Sequence, residues 1–152
     1  MKSSHKNPSN IVIREFRMRD YDAVITLWND AQLPYRPKGR DSRDKIEYQL
    51  KQGNAIFLVA EIDGKLVGSI LGNHDGRKGW INRLAVDSEF RRQNIARRLV
   101  TEVEDRLSEL GIEVVACLIE EWNTASIQAF ERLGYKKEEN IVYFSKRRNV
   151  DA

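Results

Sequence analysis

The sequence predicts an α/β (α+β) fold with elements in the order βααβββαβαββ, and three observations carry that reading. Two β-rich runs, residues 55–62 (AIFLVAEI) and 65–71 (KLVGSIL), are joined by Asp63-Gly64, the dipeptide that most strongly marks a tight hairpin. Residues 95–110 set Ile95, Leu99, Val100, Val103, Leu107 and Leu110 on one helical stripe that ends at Gly111, as expected for an amphipathic helix with a glycine stop. A continuous apolar run, VVACLI at 114–119, follows at once, the pattern of a strand covered on both faces.

The remaining elements fill in around these. Residues 11–16 read as a short strand with mixed faces. Asp20 is the expected N-cap of a helix carrying Tyr21, Val24, Ile25, Leu27 and Trp28 at helical spacing, and Pro34 and Pro37 close that stretch. A second helix, capped by Asp41 or Ser42, is expected to run to about Gly53. After the hairpin, DGRKG at 75–79 makes another turn into WINRLAV at 80–86. Asn123 or Thr124 starts a last helix with Ile127, Phe130 and Leu133 inward and Gly134 as its stop, and IVYFSK at 141–146 is the expected final strand.

Composition excludes several classes of function. Of 152 residues, 41% are hydrophobic and 32% charged, the balance of a globular chain. The expected organisation is a polar, disordered tail over 1–10 and a single domain over 11–152. No apolar run approaches a membrane span, and the first ten residues lack the apolar region of a signal peptide. Cys117 is the only cysteine, so no internal disulfide can form, and the expected compartment is the cytoplasm. Lys and Arg total 26 against 23 for Asp and Glu, too small an excess to mark a nucleic-acid binder.

The informative stretch is LAVDSEFRRQNIARRLV, residues 84–100. A strand ends, a polar loop turns, and a helix begins at Asn94 or Ile95, which exposes unpaired N–H groups and the positive end of the helix dipole. Arg91, Arg92, Arg97 and Arg98 crowd that end. Their charges oppose the dipole unless an anion meets them, so the loop reads as an anion site. The same cluster, taken by composition, reads as a solvated basic helix end.

At this point the chain resembles the GNAT superfamily of acetyl-CoA-dependent N-acetyltransferases, and within it a bacterial and archaeal subgroup. The family pattern Q/R-x-x-G-x-G/A stands here as Arg91-Arg92-Gln93-Asn94-Ile95-Ala96, with Asn94 in place of the first glycine. The opening IVIREFRMRDYDAV, the hairpin FLVAEIDGKLVGSI and the element WNTASIQAFERLGY carry the likeness over about residues 11–147. The resemblance implies a mixed, mainly antiparallel sheet of six to seven strands with four helices. Its fourth and fifth strands, WINRLAV and VVACLI, begin as neighbours and then splay to admit the cosubstrate. It implies that Leu84, Ala85 and Val86 pair with pantetheine, and that the Leu84 backbone stabilises the developing oxyanion. Arg91, Arg92, Gln93, Asn94, Ile95, Ala96 and Arg97 would grip the diphosphate, and Asn123 and Phe130 would lie along the cofactor. No metal is implied.

Acetyl transfer from a thioester to an amine needs a neutral nucleophile, a polarised carbonyl and a leaving thiolate. Glu120 and Glu121, just past the fifth strand, are candidate bases, and equally read as solvated strand-end carboxylates. Phe130 stands where many family members carry the tyrosine that protonates the thiolate, so that acid is missing. The acceptor pocket is expected at LPYRPKGRD, residues 33–41, where Tyr35 offers a wall and Arg36 and Arg40 could clamp a carboxylate or phosphate; Asn82 and Arg83 would join from the fourth strand. Cys117 and Trp28 are expected in the core, with Trp80 and Trp122 beside the cleft. The leading expectation is an enzyme that acetylates a primary amine of a small molecule or protein. The competing one is an acyl-CoA sensor or partner-binding module with weak or no catalysis. A homodimer through an exposed tryptophan face is a further expectation.

Overall fold

A computed structural model describes residues 10–152; the expected tail over 1–10 falls almost wholly outside them. The elements are β1 (Ile11–Glu15), α1 (Tyr21–Asp30), α2 (Arg43–Leu50), β2 (Ala55–Ile62), β3 (Lys65–His74), β4 (Gly79–Val86), α3 (Ile95–Glu109), β5 (Val115–Cys117) and α4 (Thr124–Arg132), with short 3-10 turns before α1 and α3. One five-stranded sheet has the order β1-β2-β3-β4-β5. The first four strands are antiparallel neighbours, and β5 joins β4 in parallel.

Alternation along β2 shows how the sheet divides two cores. Leu58, Ala60 and Ile62 join Leu99, Val100, Val103 and Leu107 of α3 on one face. Phe57 and Val59 join Val24, Leu27 and Trp28 of α1 and Ile46 of α2 on the other, as a side-chain period of two requires. Phe16 stacks on Phe57 with centroids 4.1 Å apart. The β2–β3 hairpin turns at Asp63 and Gly64, both at positive φ (51° and 80°), the conformation that makes Asp-Gly the preferred pair. Helix α3 lies low on the sheet because Gly72 and Gly79 leave room: a Cβ there would come within 2.6 Å of Val103 Cγ1 and Leu107 Cδ1 respectively.

Caps sort out two ambiguities. Ser42 Oγ accepts from Lys45 N and caps α2, which frees Asp41 for another task. Asp20 occupies the N-cap position of α1 without bonding into that helix; its carboxylate accepts from Arg17 N and from Arg14. The Arg14 guanidinium, bonded to it, holds the Asp20 pKa below the ordinary carboxylate value.

Two expectations are corrected. Five strands stand where six to seven were expected, since residues 141–146 form no strand. Ile141, Val142, Tyr143 and Phe144 are 64–88% exposed, and strand propensity without a ladder partner does not make a strand. The run at 114–119 is likewise not covered on both faces. Among the described residues only Val115–Cys117 pair, with β4 alone; Val115, Cys117 and Ile119 pack on the core, while Val114 and Leu118, on the other face by alternation, remain exposed.

Candidate active site

The site begins with a defect in β4. Ser69 faces Ala85 across the β3–β4 ladder, but Leu71 faces Asn82, so Arg83 and Leu84 together oppose Ile70. That is a β-bulge, which takes backbone groups out of the ladder and bends the strand. Arg83 sits at φ 54°, a left-handed conformation unusual for a long side chain. A fully buried serine fixes it: Ser69 Oγ accepts from Trp28 Nε1 at 2.9 Å and donates to the Arg83 carbonyl at 3.1 Å. The Arg83 guanidinium lies 5.6 Å from the centroid of the Trp28 ring. Trp28 is core, as expected, and also supports the bulge.

The sheet opens at the bulge. The β4–β5 pairing runs Gly79–Val115, Trp80–Ala116, Ile81–Cys117 and stops. A cleft follows, lined by Ile81–Leu84 on one lip and Cys117–Glu120 on the other, with Asn123, Ser126, Phe130 and Leu33 closing it. The expected splay is therefore present at the expected strands. Asn123 accepts from Ser126 N at 3.1 Å and caps α4. Phe130 is buried edge-on against Tyr135, 5.1 Å between centroids. The Tyr135 hydroxyl donates to Glu104 at 2.6 Å, and burial together with that bond raises its pKa. Cys117 packs against the core and also borders the cleft; burial pushes its thiol up to about 11. Glu120 lines the cleft, whereas Glu121, Trp80 and Trp122 do not.

The loop into α3 has the shape of an anion cradle. Arg92 and Asn94 both adopt positive φ, 67° and 63°, and turns of this kind point successive N–H groups into a concavity. Asn94 thus takes the conformation for which glycine would otherwise be needed. No side chain caps α3 and its first turn holds no acid, so the amides of Ile95, Ala96 and Arg97 face no competing carboxylate of their own helix. Arg91, Arg92 and Arg97 are exposed, and no described carboxylate lies within salt-bridge distance of them. Gln93 Oε1 is buried without a partner. The amides and guanidinium groups suit a diphosphate: donors and positive charge, with no resident anion among the described residues.

The loop between α1 and α2 is anchored to the bulge. Asp41, buried, accepts from Arg83 Nη2 at 2.6 Å and from Arg36 N at 2.7 Å, while Tyr21 donates to its carbonyl at 2.7 Å. Tyr35 donates to Asn29 Oδ1 and tilts against Trp28. Of that loop only Leu33 lines the cleft; Tyr35, Arg36 and Arg40 stand outside its lining. Asn82 lines it and bonds Asn73 at 3.3 Å. The roles of Ser69 and Asp41 escaped the sequence reading. A polar residue inside the apolar run VGSIL was the available signal for Ser69; for Asp41 the signal was masked by its place beside a helix start.

Residues 21–135 match the Acetyltransferase (GNAT) family. The chain belongs to the GNAT acetyltransferase family. An acetyltransferase of Photorhabdus laumondii is 39% identical over 140 residues, 91% of this chain and 96% of that protein. One of Pectobacterium atrosepticum is 39% identical over 124 residues, 82% and 86% of the two chains. Solved structures share the GNAT fold at lower identity. PaiA N-acetyltransferase from Thermoplasma acidophilum, in complex with coenzyme A, superposes with TM-score 0.75 at 19% identity, covering 86% of this chain and 92% of its own. AAC(6')-Iy, in complex with a bisubstrate analogue, gives 0.74 at 20% identity, covering 90% and 98%. Among the described residues, no helix is long and apolar enough to cross a membrane.

Proposed function

We propose that this GNAT protein, a single domain over residues 11–152, transfers an acetyl group from acetyl-CoA to a primary amine of a small molecule or protein. The single observation that carries the proposal is the parting of β4 and β5 at a bulge, with the cradle of residues 91–97 following the end of the same strand. Backbone at Leu84, Ala85 and Val86 is suited to pair with pantetheine, and the Leu84 N–H to meet the charge that develops on the carbonyl oxygen. Arg91, Arg92, Gln93, Asn94, Ile95, Ala96 and Arg97 are suited to the diphosphate, with Asn123 and Phe130 along the cofactor. The neutral amine attacks the thioester carbonyl, the C–S bond breaks, and the amine proton ends on the sulfur, giving an amide and free CoA.

Glu120, at the cleft, is the better-placed base of the two glutamates, acting directly or through water. Phe130 offers no hydroxyl and that of Tyr135 is committed to Glu104, so the leaving thiolate takes its proton from water, which a thiol of pKa about 8.5 permits. Asn82 and Arg83 line the acceptor side of the cleft, and Tyr35, Arg36 and Arg40 of the adjoining loop, which stand outside that lining, serve the acceptor from beyond it. The lack of a hydroxyl at Phe130 also favours a second reading, an acyl-CoA sensor with weak or no catalysis. Val114, Leu118 and Trp122, exposed around the β5 edge, support a homodimer, and the single cysteine supports a cytoplasmic setting. Calorimetry with acetyl-CoA followed by a thiol-release assay over an amine panel tests the function. Binding with turnover supports the enzyme; binding without turnover on any amine supports the sensor; no binding sinks both.

A further inference from the structure

At the acceptor side of the cleft and in the loop beside it stand arginines that the fold matches only in part. Arg83 lines the cleft, and although its Nη2 bonds Asp41 at 2.6 Å, its Nε–H is buried with no partner. Arg36 contributes only its backbone N–H to Asp41, and no described carboxylate lies within salt-bridge distance of the guanidinium of Arg36 or Arg40. Partial burial, and then the nearby charges of Arg83, Arg147 and Arg36, draw the Arg40 pKa down against the opposing pull of Asp41. The C-terminal segment that bears Arg147 reaches this loop, with the Asp151 carbonyl packed against Gly39. Arg147 itself donates to the Ala152 oxygen at 2.7 Å, so one buried aspartate faces Arg83, Arg40 and Arg36. A buried donor without a partner and a knot of like charges are both relieved by a bound anion.

The opposite lip differs. Glu120 lines the cleft there, the sign that suits an ammonium. The geometry points to an acceptor that is an amine carrying a second, anionic group, a carboxylate or a phosphate ester, with the anion received at the cleft by Arg83 and drawn there by the charges of Arg40 and Arg36, which stand outside the lining. This rests on the acetyltransferase reading above. A polycation would meet repulsion at the arginines.

Matched pairs test it at saturating acetyl-CoA: an L-amino acid against its carboxamide, O-phosphoethanolamine against ethanolamine, and spermidine as the polycation. The anionic member of at least one pair should exceed its partner by about tenfold to a hundredfold in kcat/KM, as a charge-assisted hydrogen bond implies, and the responding pair tells carboxylate from phosphate. Arg40→Gln, which breaks no ion pair with a described carboxylate, should lower that ratio about tenfold. Equal or better turnover of the uncharged partners or of spermidine overturns the proposal. So does an unchanged ratio in Arg40→Gln, or acetyl-CoA binding with no anionic amine accepted. Failure to bind acetyl-CoA at all would instead overturn the acetyltransferase reading.

Discussion

Asp41→Ala would strike the contact that joins the acceptor loop to the bulge. The Asp41 side chain is 4% exposed and that of Arg83 14%, so the substitution strands a largely desolvated guanidinium and removes the acceptor of the Arg36 N–H. Breaking one partner of a buried ion pair costs about 3–5 kcal/mol. For a chain of this size about 1 kcal/mol lowers Tm by roughly 2–4 °C, so a fall of about 6–20 °C is expected. Circular-dichroism melts and urea titrations of the two proteins measure it. A double variant, Asp41→Ala with Arg83→Met, should lose less than Asp41→Ala alone, because no charge is left stranded. A fall under about 2 °C, or a double variant worse than the sum of its parts, would refute the view that this pair secures the loop.

Four other outcomes follow from the structure. Asn94→Val forces a β-branched residue into φ 63° and should cost about 1–2 kcal/mol in thermal melts, whereas Asn94→Gly should melt close to the parent and retain CoA binding. Gly72→Ala should lose about 1–3 kcal/mol by overpacking, and more than Gly79→Ala, because stiff Val103 yields less than flexible Leu107. With its thiol pushed up to about 11 by burial, Cys117 is almost wholly protonated at neutral pH. Its alkylation by iodoacetamide should be slow at pH 8, rise with pH toward 11, and slow further when acetyl-CoA fills the cleft. Phe130→Tyr, which supplies the missing acid, should raise kcat; an unchanged or lower value would argue against the placement of the leaving thiolate beside this helix.

What could be read from the residues depended on how local the physics was. The Asp63-Gly64 turn and the glycine-stopped helix expected over 95–110, which runs over Ile95–Glu109, are decided by a few neighbouring residues and stand where the sequence puts them. The parting of the two strands came from family likeness rather than from periodicity. Tertiary pairing decided the rest. Asp41 and Ser42 were interchangeable as caps until Arg83, far along the chain, took the aspartate. Ser69 is bound into the bulge by a tryptophan and a carbonyl from two other elements. Residues 141–146 carry the composition of a strand, but composition cannot say whether a neighbour offers its edge.

The glycines beneath α3 have a consequence for distance. With no side chain at positions 72 and 79, the height of the helix above the sheet is set by Val103 and Leu107 resting on the strand backbone, and that height fixes how far the amides at its start stand from the distorted turn of β4. On the proposed reading those two places hold opposite ends of one long cosubstrate. The floor of the helix then serves as a gauge for that molecule's length, and a single methyl group there would miscalibrate it without touching either end.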